Sequence, residues 1–88
     1  MLKQKIVMND GTVYPINWIG VSTIDGVLRF ELNDISKAEA LNAFNDEDKT
    51  KEIIHYWDET IASTFLGYTE LYQIMFQPTG TTIIGLRK

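Results

Sequence analysis

The sequence predicts a mostly-β α+β domain: an antiparallel meander sheet, either a partly closed barrel or a small sandwich, with one short helix at about 36–44 plugging one side. Three observations carry that class. Residues 51–88 hold dense apolar and β-branched runs (K-E-I-I-H-Y-W, T-I-A-S-T-F-L, G-Y-T-E-L-Y-Q-I-M-F) separated by short polar turns. Asp25-Gly26 lies between two alternating runs, a hairpin signal because both residues tolerate left-handed backbone. One stretch alone, Ser36-Lys37-Ala38-Glu39, opens like a helix: its Ser hydroxyl can accept from the Glu39 N–H while the carboxylate reaches back.

Taken in order, 3–8 is a first strand closed by the turn Asn9-Asp10-Gly11. Residues 12–16 form a second, short strand. Pro15 lacks an amide hydrogen, which places it at an edge or a strand end. Residues 17–24 and 27–32 flank the Asp25-Gly26 turn. In the latter, Leu28, Phe30 and Leu32 face one way and Arg29 and Glu31 the other, so one face is core. The helix runs to about Phe44 with Ala40, Leu41 and Phe44 on its packed side, and two turns stand only by packing on the sheet. Residues 45–49 read as a solvated acidic loop.

Ile53, Ile54, Tyr56 and Trp57 belong to the next strand, and Asp58-Glu59 turns it into 60–66. Residues 68–76 admit two readings. Tyr68, Leu71, Tyr72 and Met75 recur at helical spacing, whereas aromatic and β-branched content favours a strand. The strand is preferred because Gln77-Pro78-Thr79-Gly80 leads into Thr81-Thr82-Ile83-Ile84 as a hairpin.

The totals bound a single domain over 1–88, near the lower limit for folding without staples. With no cysteine, neither a disulfide frame nor a thiolate zinc site is available. The net charge of −4 is concentrated between Asn45 and Glu59, where six acids meet two bases. No basic stripe suits a phosphate backbone, so no nucleic-acid partner is expected. No apolar run approaches the roughly 20 residues of a membrane span, and the N-terminal apolar stretch is too short for a signal peptide. The chain is expected to stay in the cytoplasm.

Chemistry-bearing residues are sparse. His55 is the only histidine, expected on the solvated sheet face, and it leaves no usual nucleophile–base arrangement. Asp46-Glu47-Asp48 lacks the spacing, glycine and closing Glu of a calcium loop. Catalytic residues, metal and cofactor are all expected to be none. Trp18, Tyr56, Trp57, Tyr68 and Tyr72 are many aromatics for a small core, and Tyr56 and Trp57, adjacent in one strand, must point to opposite faces. Trp18, Tyr56, Trp57, Asp46, Glu47 and Asp48 are therefore the candidate interaction surface.

The N-D-G-T-V-Y start, the D-G-V-L-R-F-E-L strand, the S-K-A-E-A-L-N-A-F helix and F-x-G-Y-T-x-L-x-x-I (Phe65 to Ile74) resemble small phage and prophage proteins of Gram-positive bacteria. The resemblance covers most of the chain. It implies a phage-encoded accessory or virion-associated protein, in the host cytoplasm or the virion, with no catalytic residues to carry over. The expected function is a non-enzymatic protein-interaction or assembly module, pairing with itself as a homo-oligomer or with another virion or host protein. The alternative is a small β domain that binds a sugar or peptide through exposed aromatics.

Overall fold

In the computed structural model, which describes residues 3–88, seven strands form one antiparallel sheet with two short helices. The elements are β1 (Gln4–Val7), β2 (Val13–Val21), β3 (Leu28–Asn33), α1 (Lys37–Phe44), α2 (Glu47–Thr50), β4 (Glu52–Trp57), β5 (Thr60–Leu66), β6 (Glu70–Phe76) and β7 (Thr81–Arg87). The spatial order is β5-β4-β1-β2-β3-β7-β6. Thus β1-β2-β3 is a meander, and the β4–β5 and β6–β7 hairpins are added on its two sides through β4 on β1 and β7 on β3.

Residues 70–76 are strand, the preferred reading, although Tyr68 and Thr69 fall in the loop before it, and the helix starts and stops where its cap predicts. The Ser36 hydroxyl accepts from the Glu39 N–H at 3.1 Å. On α1 the buried residues are Ala40, Ala43 and Phe44, whereas Leu41 is 38% exposed, so the packed face is rotated from the one expected.

Three other expectations are corrected. Residues 12–16 and 17–24 are not two strands: a bulge between Ile16 and Ile19 lets β2 run through, absorbing the break in alternation at Asn17-Trp18. Pro15 lies well inside β2, with β1 and β3 on its two sides. The last β2–β3 pair is Ile16↔Leu32, however, so at Pro15 the strand is locally an edge on that side and no ladder bond is lost there. Finally, residues 47–50 are a helical turn and not a loop, because the Asp46 carboxylate caps it by accepting from the Asp48 N–H at 3.0 Å.

A flat seven-stranded sheet would hold β5 and β6 about 29 Å apart. Only Gly67, Tyr68 and Thr69 join these two opposite edges. Four Cα steps reach about 14 Å, so the sheet is curled until its edges meet at that corner. The near-isotropic extents of 29 × 28 × 28 Å agree with this. With every neighbouring pair antiparallel, the outermost strands of seven run the same way. Direct closure would need a parallel β5–β6 pair, which is not formed, and the barrel stays open.

The inner face holds the core: Ile6 on β1, Ile16 on β2, Leu28, Phe30 and Leu32 on β3, Ile53 on β4, and Ile84 and Leu86 on β7. Phe44 seats α1 on it, with ring centroids 5.3 Å from both Phe30 and Tyr14.

Candidate functional site

Residues directly opposite in a ladder share a face, so the register sorts the outer surface residue by residue. Across β5, β4, β1 and β2 one outer row reads Thr64, Ile54, Val7, Val13, and the next reads Ile61, Tyr56, Lys5, Pro15. Leu66 opposite Glu52 adds a third, partial row. Ile61 and Leu66 are 57% and 59% exposed. Lys5 and Glu52 are the only charges in these rows, and the Lys5 ammonium sits 5.3 Å above the Tyr56 ring.

The other half of the outer face has a different character. Over β3, β7 and β6 polar side chains bond one another. Arg29 reaches Gln73 Oε1 at 3.1 Å and pairs with Asp25 at 3.0 Å, Arg87 pairs with Glu70 at 3.0 Å, and Asn17 reaches across from β2 to donate to Glu31 at 2.8 Å. The Arg29 bond and the Val27 N–H hold the Asp25 carboxyl down to about 2. One half of the exterior therefore carries a bonded polar cluster, beside an outer row of Glu31, Ile83 and the exposed Met75, and the other an apolar strip ending in an open edge.

That edge is β5, whose seven residues include no charge and no proline. It carries one bulge: the register passes from His55↔Ser63 to Tyr56↔Ile61, leaving Ala62 unpaired. The opposite edge, β6, is also bulged, at Tyr72. Bulges blunt an edge locally, which leaves Ser63–Leu66 as the regular stretch of β5.

The candidate aromatics divide among three places. Tyr56 is half-buried within the apolar outer strip. Trp57 points to the inner face, as adjacency demands, yet stands 40% exposed because its row lies at the mouth of the barrel. Trp18 sits in the β2 bulge, also 40% exposed. Asp46, Glu47 and Asp48 lie apart from all three, capping and opening α2, which Asn9 ties to the β1–β2 turn through the carbonyls of Asp48 and Lys49. Ile61, Leu66 and Val13 were not legible as surface residues, because apolar character alone does not reveal on which face of the sheet a residue falls.

His55 is not on the solvated face. It is buried opposite Ile6 on the inner side. The Gln4 amide fixes its tautomer. Gln4 Nε2 donates to the Asn17 carbonyl at 3.1 Å, which turns Gln4 Oε1 toward His55 Nε2 at 3.0 Å; that nitrogen must therefore carry the proton. Burial lowers the imidazole pKa, and the Trp57 ring stands edge-on at 6.4 Å.

A cleft of about 370 Å³ lies between the β1–β2 turn and the helices, lined by Asp10, Tyr14, Glu39, Asn42 and Lys49 among others. Its polar groups largely satisfy one another or the backbone: Asp10 accepts from the Thr12 N–H, and Lys49 Nζ donates to the Asn42 carbonyl. Burial, then the Glu39 and Asp10 charges, raise the Tyr14 pKa. Among the described residues no group of His, Asp or Glu is placed to hold a metal ion, and no helix is long and apolar enough to cross a membrane.

Comparisons with protein-family models, with curated proteins and with solved structures found no match to this chain.

Proposed function

We propose that this protein is a non-enzymatic interaction module, encoded by a phage or prophage, that works by assembling with itself or with another virion or host protein. Its place of action in this reading is the host cytoplasm and, once assembled, the virion. The observation that carries the reading is the exposed apolar strip of the outer face, which runs from β2 out to the open, charge-free edge β5. On a small domain a contiguous apolar strip rimmed by polar groups is a partner surface, and an edge offers its free backbone groups to another strand.

A second reading, a sugar- or peptide-binding β domain, draws on the exposed Trp57 beside His55 at the barrel mouth. One pair of measurements separates the two. Absolute molar mass is followed by light scattering over a wide concentration range at low and high salt, and tryptophan emission is followed during titration with oligosaccharides and short peptides. The assembly reading expects a mass that rises above the 10.1 kDa monomer and persists in high salt, because apolar contacts are not screened. A strict monomer whose tryptophan emission shifts with ligand overturns it in favour of the second reading. The position of the gene within or outside a cluster of virion genes tests the phage assignment.

A further inference from the structure

We infer that the inner face of β4 and β5 at the barrel mouth is a binding site for a neutral sugar ring, which donates a hydroxyl to Nδ1 of His55 and lays a C–H face on Trp57. This rests on the second reading above and names its ligand class and the atoms that meet it. It does not compete with assembly, because the apolar strip occupies the opposite face of the same strands.

The imidazole is held with one nitrogen committed and the other bare. The Asn17 carbonyl, within the β2 bulge, accepts from Gln4 Nε2, and Gln4 Oε1 accepts from the proton-bearing Nε2 of His55. Nδ1 is then a lone-pair acceptor. It has no hydrogen-bond partner among the described residues, although only 8% of the residue is exposed. No fully buried side-chain nitrogen or oxygen among those residues lacks a partner, so Nδ1 opens to solvent. A side chain more than nine-tenths buried thus presents one fixed acceptor at its open end. Pinning one ring nitrogen is how a protein selects the other for a ligand, and whatever meets Nδ1 must bring a donor.

The register supplies the rest of the site. Ser63 lies directly opposite His55 and Thr60 directly opposite Trp57, so two exposed hydroxyls, the bare nitrogen and the 40% exposed indole share one face. Opposite residues stand about 5 Å apart and successive rows about 7 Å, so the four groups fall within the footprint of one ring. Neither row carries a charged side chain: Thr60, Trp57, Gln4 and Ile16 form one, and Ser63, His55, Ile6 and Tyr14 the other. The ligand is therefore neutral. A peptide residue offers one N–H and one C=O, too few for three hydrogen-bonding groups around an aromatic. A sugar ring carries hydroxyls on its rim and C–H bonds on its faces, and meets all four.

The test is the imidazole proton–nitrogen correlation spectrum of isotope-labelled protein, in which the only histidine gives a single pattern. It is recorded at about pH 8, where an imidazole is neutral, during titration with glucose, galactose, mannose, N-acetylglucosamine, cellotetraose and chitotetraose, and separately with trialanine. The expected result is a free protein with the proton on Nε2, and a sugar that moves the Nδ1 resonance toward that of a hydrogen-bonded acceptor while Nε2 stays in place. Trp57→Ala is expected to lower the affinity about tenfold, the loss of one aromatic contact, and Trp18→Phe, in the β2 bulge, to leave it unchanged. Circular dichroism checks that both variants fold, and the imidazole shift needs neither. A proton found on Nδ1 in the free protein overturns the inference. Sugar binding that leaves Nδ1 unmoved, or that survives Trp57→Ala, overturns this site and leaves the second reading standing. Trialanine moving Nδ1 where no sugar does overturns the ligand class alone. No binding of any of these probes overturns both the site and the second reading.

Discussion

Replacing Phe44 by Ala tests how the helix is held. Phe44 is fully buried, and its ring makes the two aromatic contacts that join α1 to the sheet, with Phe30 and Tyr14. Truncating a buried Phe removes its transfer free energy and leaves a cavity, together about 3–5 kcal/mol. Two aromatic pairs, each about 0.5–1.5 kcal/mol beyond area, put this site at the upper end of that range. A chain of this size has roughly 4–13 kcal/mol of stability in total. The variant therefore loses a large share, and its melting point falls by well over ~10 °C. Urea unfolding followed by tryptophan emission and far-ultraviolet circular dichroism gives the number. Leu41→Ala is the control, on the same helix but 38% exposed, where better helix propensity offsets the little packing lost and the change stays within about 0.5 kcal/mol. Equal losses for the two variants, or a Phe44→Ala loss below about 1.5 kcal/mol, would refute the placement of α1 against the sheet.

Ser36→Ala removes the hydroxyl that accepts the Glu39 N–H and should cost about 1 kcal/mol in the same unfolding assay, with Ser36→Gly costing less. Asp58 and Glu59 both adopt left-handed backbone, φ 49° and 68°, in the two-residue turn between β4 and β5. Glu59→Gly relieves a conformation that costs a non-glycine residue about 1–2 kcal/mol, partly offset by the freer unfolded chain, so a small gain in melting temperature is expected and a loss would contradict the turn. His55 has a folded pKa below its unfolded value of about 6.5 because it is buried. Its contribution is complete above that pH and is lost as pH falls through the folded value, since the unfolded chain takes up the proton first. Urea midpoints between pH 8 and 5 should fall on the acid side, and His55→Gln should flatten that limb. Asp25, held down to about 2, acts in a separate window: its share is present above about pH 4 and is lost toward pH 2.

What was legible in the sequence is what has a period or a local bond. Leu28, Phe30 and Leu32 alternate with charges and are core; Ser36 sits three residues before Glu39 and caps α1. Turns declared by glycine and proline, such as Gln77–Gly80, fall where expected. The strand order was not legible, because the joins of β4 to β1 and β7 to β3 link residues about fifty positions apart and no local pattern names such partners. His55 lies in I-I-H-Y-W, where both faces are apolar, so alternation could not choose its side. In β5 alternation was absent because an edge strand of an open barrel is exposed on both faces. The surface residues Ile61 and Leu66 were hidden for that reason, while Tyr56 stood out by type alone.

The corner at Gly67-Tyr68-Thr69 has a mechanical consequence. It is a tether between the two margins of one elastic strip, so its contour length sets how tightly the strip rolls. Tyr68, within that link, packs against the same buried cluster that contains Phe30 and Phe44, so the tether and the core meet on one surface. Lengthening the tether by a few glycines would let the strip unroll, and α1 would loosen from its seat with every core side chain unchanged.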